Sequence, residues 1–198
     1  MESVDDFLRW LEGVRKRTVS VAERIPEEHL ERAPAPGRFT PADIVRHISA
    51  TERWMWAENA LGRPSRYPGH GPELASGKSD VLALLDRLHR ESVAIFAGLG
   101  PEQLGAKVTT VGRVDITVWK WLRLMIEHEI HHRGQLYEML GGWGVETPPL
   151  YGLTEPEVAA RSESLAARGG NAVARAHGAR EVTSRNDDES WWFHGEEK

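Results

Sequence analysis

The residues best able to do chemistry stand in one short phrase, Glu127-His128-Glu129-Ile130-His131-His132-Arg133-Gly134-Gln135. It lies in a run from about Thr117 to Leu140 whose apolar spacing predicts a helix. At 3.6 residues per turn His128 and His132 project from one face, one turn apart, which is the spacing of a metal-ligand pair. A catalytic divalent ion typically takes three protein ligands and keeps a position for water or substrate, so a third ligand must come from another element. His47 is one candidate, beside Ile44 and Ile48 at the edge of the apolar side of a second predicted helix, though a lone histidine there is more often structural. His131 projects about 100° from His132 and is expected outside the ligand set. His29, His70, His89, His177 and His194 carry no such spacing and read as structural or surface residues.

The same phrase formally satisfies His-Glu-x-x-His, the zinc-protease pattern in which Glu is the general base. That class needs a further ligand and a strand-edge cleft for its peptide, whereas this motif is surrounded by predicted helices. Glu146, Glu155 and Glu157 have no spacing that supports them as that ligand. Glu129 is a candidate general base or orienting residue near His132, or else the partner of an arginine such as Arg133 or Arg53. Asp43 and Thr51, each one turn from His47, are candidates to orient it.

These residues need a scaffold. Val4, Phe7, Leu8, Leu11, Val14, Val21 and Ile25 form a near-helical stripe behind Ser3 and Asp6, predicting a first helix to about Arg24. Thr40-Pro41-Ala42-Asp43 combines a hydroxyl cap, a first-turn proline and an acid, and opens a second helix to about Leu61. Gly62 to Lys78 is rich in Gly, Pro, Ser and Arg and reads as a loop long enough to cross a bundle from end to end, so that helices two and three could run parallel. Ser79 is expected to cap the third helix, which ends near Gly98. Val108 to Ile116, around Gly112-Arg113, suits a short hairpin or an extended link. The fourth helix carries a second apolar row, Trp119, Ile126, Ile130 and Tyr137, which something must cover; a homodimer would do so, as would Trp191-Trp192-Phe193 or the fifth helix. Gly141-Gly142 should end helix four, and Thr154-Glu155-Pro156-Glu157 should begin a short fifth helix to about Ala167. This gives an all-α domain over residues 1–167 and a polar, disordered tail over 168–198.

Across 198 residues the net charge of −5 and the lack of a Lys/Arg run argue against nucleic acid as partner. No apolar run of about 18 residues offers a membrane span, and the N-terminus lacks the pattern of a signal peptide, so a cytoplasmic protein is expected. Zero cysteines exclude disulfides, a Cys zinc site and a catalytic thiol of the chain's own.

His47 behind Thr-Pro-Ala-Asp, His128-x-x-x-His132 within His-Glu-Ile-His-His-Arg-Gly-Gln-Leu, and Pro-Pro-Leu-Tyr-Gly-Leu-Thr together resemble the DinB-like superfamily over about residues 3 to 165. The resemblance implies a four-helix bundle, up-down-down-up with a long crossover between helices two and three, often dimeric. It implies a metal triad at His47, His128 and His132. It also implies, as the first functional expectation, a transferase or isomerase acting on a small-molecule substrate with a low-molecular-weight thiol such as bacillithiol, mycothiol or glutathione. The alternatives are a hydrolase using metal-activated water and a non-catalytic metal-binding bundle. Three imidazoles suit zinc or nickel, and affinity order alone does not choose between them.

Overall fold

The computed structural model describes residues 3–169, and Trp191, Trp192 and Phe193 lie outside them. The chain divides into two units, 1–147 and 148–198, the boundary falling ahead of the fifth helix.

The first unit is built on four long helices. Helix α1 spans Val4–Ala22, its Ser3 cap accepting the Asp6 backbone N–H, as its sequence suggests. Helix α2 spans Pro41–Thr51 behind a capping box: Thr40 Oγ1 accepts from Asp43 N, and Asp43 Oδ2 accepts from Thr40 N, both at 3.0 Å. Thr40→Ala removes one half of that exchange and should cost about 1 kcal/mol. The loss would be read as a lower urea midpoint at unchanged slope.

The chain then departs from regular α-geometry. Glu52–Ala57 is a π-helical turn, followed by an α-turn Glu58–Ala60, and Gly62 leaves the helix with a φ of 74° that favours glycine. Helix α3 spans Lys78–Ala97. Its N-cap is Gly77, at a φ of 80°, and not Ser79 as the sequence suggests; Glu27 Oε1 accepts from the Lys78 backbone N–H there. A short helix, Pro101–Gly105, which periodicity did not reveal, precedes a small antiparallel hairpin. The strands Lys107–Thr109 and Asp115–Thr117 pair with Val108 opposite Ile116, which decides for the hairpin. Helix α4 spans Val118–Gly142, running through the Gly141-Gly142 pair, and the left-handed residue that closes it is Gly144 at a φ of 72°.

Two apolar clusters give the helix directions. One joins Val21, at the C-terminal end of α1, and Ile25 just beyond it to Ile44 and Val45 of α2, Val81 and Leu85 of α3, and Leu136 and Leu140 of α4. The other joins Phe7 and Leu11 to Trp56 and Ala60, Phe96 and Leu99, and Val118 and Leu122. Helix α1 therefore runs toward the first cluster, α2 and α3 both start there and run away, and α4 returns. This is an all-α four-helix bundle in the up-down-down-up order, and residues 61–77 cross from one end to the other.

Between the clusters lies a buried layer of charge. Arg15 Nη2 donates to Glu52 Oε2 at 2.5 Å and to Glu129 Oε2 at 2.9 Å, and His89 Nδ1 lies 3.0 Å from Glu52 Oε1. All four residues are buried. Burial alone would push the Glu52 carboxyl up, but Arg15 and the His89 hydrogen bond outweigh it and hold it below the ordinary carboxylate range.

The second apolar row of α4 is largely covered within the chain. Ile126 is fully buried, Trp119 packs edge-on against Phe7 at 6.4 Å, and Ile130 stays exposed. In the second unit, helix α5 spans Glu155–Gly169, with Glu157 Oε2 accepting from the Thr154 N–H and hydroxyl, as expected for a start at Thr154. Among the described residues no helix is long and apolar enough to cross a membrane.

Candidate metal centre

The three histidines singled out by the sequence meet on the flank of the bundle between α2 and α4. His47 Nε2 lies 2.9 Å from His128 Nε2, which in turn lies 3.1 Å from His132 Nε2. Among the described residues they are the one group of three His, Cys, Asp or Glu side chains whose donor atoms lie within 4.8 Å of one another. Nitrogen–metal distances of about 2.0–2.1 Å at a tetrahedral angle place ligand nitrogens about 3.3–3.4 Å apart. Shifts of a few tenths of an ångström bring these side chains to that spacing.

The protons also fit a cation. His132 Nδ1 donates to Gln135 Oε1 at 2.7 Å, three residues along the same helix, which leaves its Nε2 lone pair facing the cluster. Burial, followed by repulsion from His132 and His70, pushes His47 down to about 4. Burial, followed by His132, His47 and His131, pushes His128 down to about 3. Burial also lowers His132, against the opposing Gln135 bond. Three imidazoles whose Nε2 atoms cluster this closely, with the charged form disfavoured, are a donor set capable of coordinating a metal ion.

The lowered values set a pH dependence. The unfolded chain binds more protons than the native one between about pH 4 and the ordinary imidazole value of 6.5, so native stability rises with pH through that window and is fully present above it. The metal-free protein should therefore show a flat urea midpoint above pH 7 and a decline from pH 6.5 toward 5. His128→Gln should flatten part of that decline, and an unchanged slope in the variant would contradict the assignment.

Around the triad the walls are aromatic. Phe39 lies 5.6 Å from the His47 ring and stacks at 6.4 Å on His132, and Trp56 sits 4.7 Å from His128. A cavity of about 650 Å³ opens beside His132, walled by Phe39, Met139 and Trp143, with Arg38, Gln135 and Glu138 as its polar members. That volume suits a small molecule.

The remaining sequence candidates are placed elsewhere. His131 is exposed, 5.1 Å from the His132 ring, with its Nε2 on the Gln135 amide at 3.3 Å. Glu129 points into the core, 2% exposed, and is the partner of an arginine, Arg15, while Arg53 pairs with Glu58 and Glu91. It stands 100° around the helix from His128, which turns one outward and the other inward. Asp43 serves the helix cap and Arg46, and the Thr51 hydroxyl bonds the His47 carbonyl rather than its ring. Sequence reasoning missed Gln135, though its position one turn after His132 was a usable signal. It also missed Tyr67 and His70 of the crossover, for which spacing offered none.

A four-helix bundle with two parallel middle helices and a flank cluster of three histidines defines the class of protein. The DinB superfamily model matches residues 11–136. YjoA of Bacillus subtilis, an uncharacterized protein, is 28% identical over 140 residues, covering 69% of this chain and 88% of that one. Its crystal structure, a DinB-like protein, superposes with a TM-score of 0.60 at 25% identity, covering 73% of this chain and 96% of that one. A DinB-like protein from Bacillus cereus gives a TM-score of 0.65 at 17% identity, over 74% and 97%. YfiT from B. subtilis, described as a probable metal-dependent hydrolase with an unusual four-helix bundle topology, gives 0.60 at 21% identity, over 74% and 93%. The chain belongs to the DinB superfamily.

Proposed function

We propose that this protein is a metal-dependent hydrolase of a small molecule, with His47, His128 and His132 holding one divalent ion, zinc or nickel. The observation that carries the reading is the convergence of three neutral imidazole nitrogens beside an open cavity that His132 itself lines. The description of YfiT supports hydrolysis over other uses of such a site. An ion held this way supplies Lewis acidity and lowers the pKa of water from 15.7 to about 7.

The chain's own residues do the rest. Gln135 fixes the His132 ring through its Nδ1–H, while Phe39 and Trp56 wall the rings. Arg38 and Glu138 offer the substrate one positive and one negative anchor at the cavity. Among the described residues no carboxylate shares the triad's hydrogen bonds, so a substrate proton must leave through solvent or the substrate itself.

The second reading is transfer to a low-molecular-weight thiol, which the same cavity could admit and with which no cysteine of this chain would compete. Metal-loaded protein offered small amides and esters, and separately an epoxide with a small thiol, separates the two. Release of product without thiol, lost in His128→Ala, is the expected result; turnover only with thiol would replace hydrolysis with transfer.

A further inference from the structure

We propose that Tyr67 and His70, carried on the crossover between α2 and α3, are positioning residues for His47, so that the crossover and the metal site order one another. This rests on the reading of the triad as a metal site.

A histidine that ligates through Nε2 must carry its proton on Nδ1, and that proton needs an acceptor. His47 Nδ1 lies 2.7 Å from the Tyr67 hydroxyl oxygen, and that oxygen lies 2.8 Å from His70 Nδ1. Read outward from His47, every donor meets an acceptor: imidazole N–H to tyrosine oxygen, tyrosine O–H to the bare nitrogen of His70. Read the other way, the chain would put a proton on His47 Nε2 and aim it at His128 Nε2, 2.9 Å away, where a cation would otherwise sit. The outward direction is the one that prepares a ligand.

The crossover is also pinned beside this relay. Arg46, the residue before His47, is fully buried and donates Nε to the His70 carbonyl at 2.6 Å and Nη1 to the Ala75 carbonyl at 3.1 Å. Its guanidinium is held from below by Glu31 and Asp43. Phe39 packs on His70 at 4.2 Å. Two successive residues of α2 thus grip one loop, Arg46 by its backbone and His47 by its side chains. Tyr67 itself is 45% exposed, so no demand of burial forces its hydroxyl onto His47. The crossover therefore does more than connect: it sets which nitrogen of His47 faces the cluster. By linkage, whatever factor the loop adds to metal affinity the metal returns to loop order.

The test is Zn²⁺ affinity by competition with a chromophoric chelator, paired with amide hydrogen exchange over residues 62–77, on the full chain. Tyr67→Phe should weaken zinc binding 10- to 100-fold, the usual effect of losing a partner that orients a ligand. His70→Ala should weaken it in the same direction, and His70→Gln, which keeps an acceptor, should recover most of the loss. Arg63→Ala, on the same loop but exposed and paired with Glu58, should bind as wild type. Zinc should slow exchange in the crossover of the wild type and leave Tyr67→Phe unchanged. Wild-type protein that takes up no zinc overturns the metal reading and this inference together. Wild-type uptake with Tyr67→Phe inside twofold of it, or crossover exchange indifferent to zinc, overturns this inference and leaves the triad standing.

Discussion

His128→Ala should retain no stoichiometric divalent ion after dialysis of untagged protein, whereas His131→Ala should retain nearly all of it. His128 is the centre of the three nitrogens, 2.9 Å from one and 3.1 Å from the other, so its loss leaves two donors on separate helices with nothing between them. The fall in affinity should exceed the 10- to 100-fold typical of an orienting residue. His47→Ala and His132→Ala should each lose the ion as well, since three-ligand sites do not survive comfortably on two. The two apolar clusters bury their side chains without the ion, so helix content should persist in every variant. Full metal content in His47→Ala together with loss in His131→Ala would move the site to the other side of α4.

Replacing Arg15 by Met should have the largest effect on stability, about 3–5 kcal/mol, because it removes the guanidinium that Glu52 and Glu129 share in the core and leaves Glu52 only the His89 ring. Against a typical total of about 5–15 kcal/mol, that is enough to unfold a substantial fraction of the protein at 37 °C. Urea titration at pH 7 measures it. Adding Glu52→Gln and Glu129→Gln to Arg15→Met should recover much of the loss, since the penalty comes from uncompensated charge and not from lost volume. A loss under about 1 kcal/mol in the single variant would mean the layer is solvated rather than dry.

The parts of this molecule legible in its sequence are those set by near neighbours. Ser3, Thr40, Pro41 and Asp43 announce their helix starts because caps bond residues two or three positions away. The His128 and His132 pair is visible because four residues make one turn. The triad's third member, His47, could be proposed from its place on α2, and the structure brings its ring to the other two. What spacing could not show depends on the return of the chain from far away. Arg15 reaches Glu129 across 114 positions, and nothing in either neighbourhood names the other. Tyr67 and His70 lie in a segment without periodicity, and their role exists only once the crossover has folded back over α2. Gly77 displaced Ser79 as cap because the loop needs a left-handed residue there. The π-turn at Glu52–Ala57 has no periodic signature at all, because it is a local widening inside an otherwise regular stripe.

The charged layer between the two apolar halves bears on which arrangement of these helices is permitted. Aliphatic and aromatic surfaces are forgiving: a helix sliding by one turn, about 5.4 Å, exchanges one set of hydrophobic neighbours for another at modest cost. Sliding α4 by that step would bring either Met125 or Arg133 to the place of Glu129, opposite Arg15 and Glu52. In the first case Arg15 loses one of its two carboxylates; in the second Arg133 stands where that carboxylate was, cation against cation. Misaligned bundles that would otherwise compete are thereby raised in energy, and the gap beneath them widens. A turn of α4 that carries His128 and His132 on its outer side is thus held in register by Glu129 on its inner side, and the alignment of the histidines with His47 is fixed by residues that never touch them.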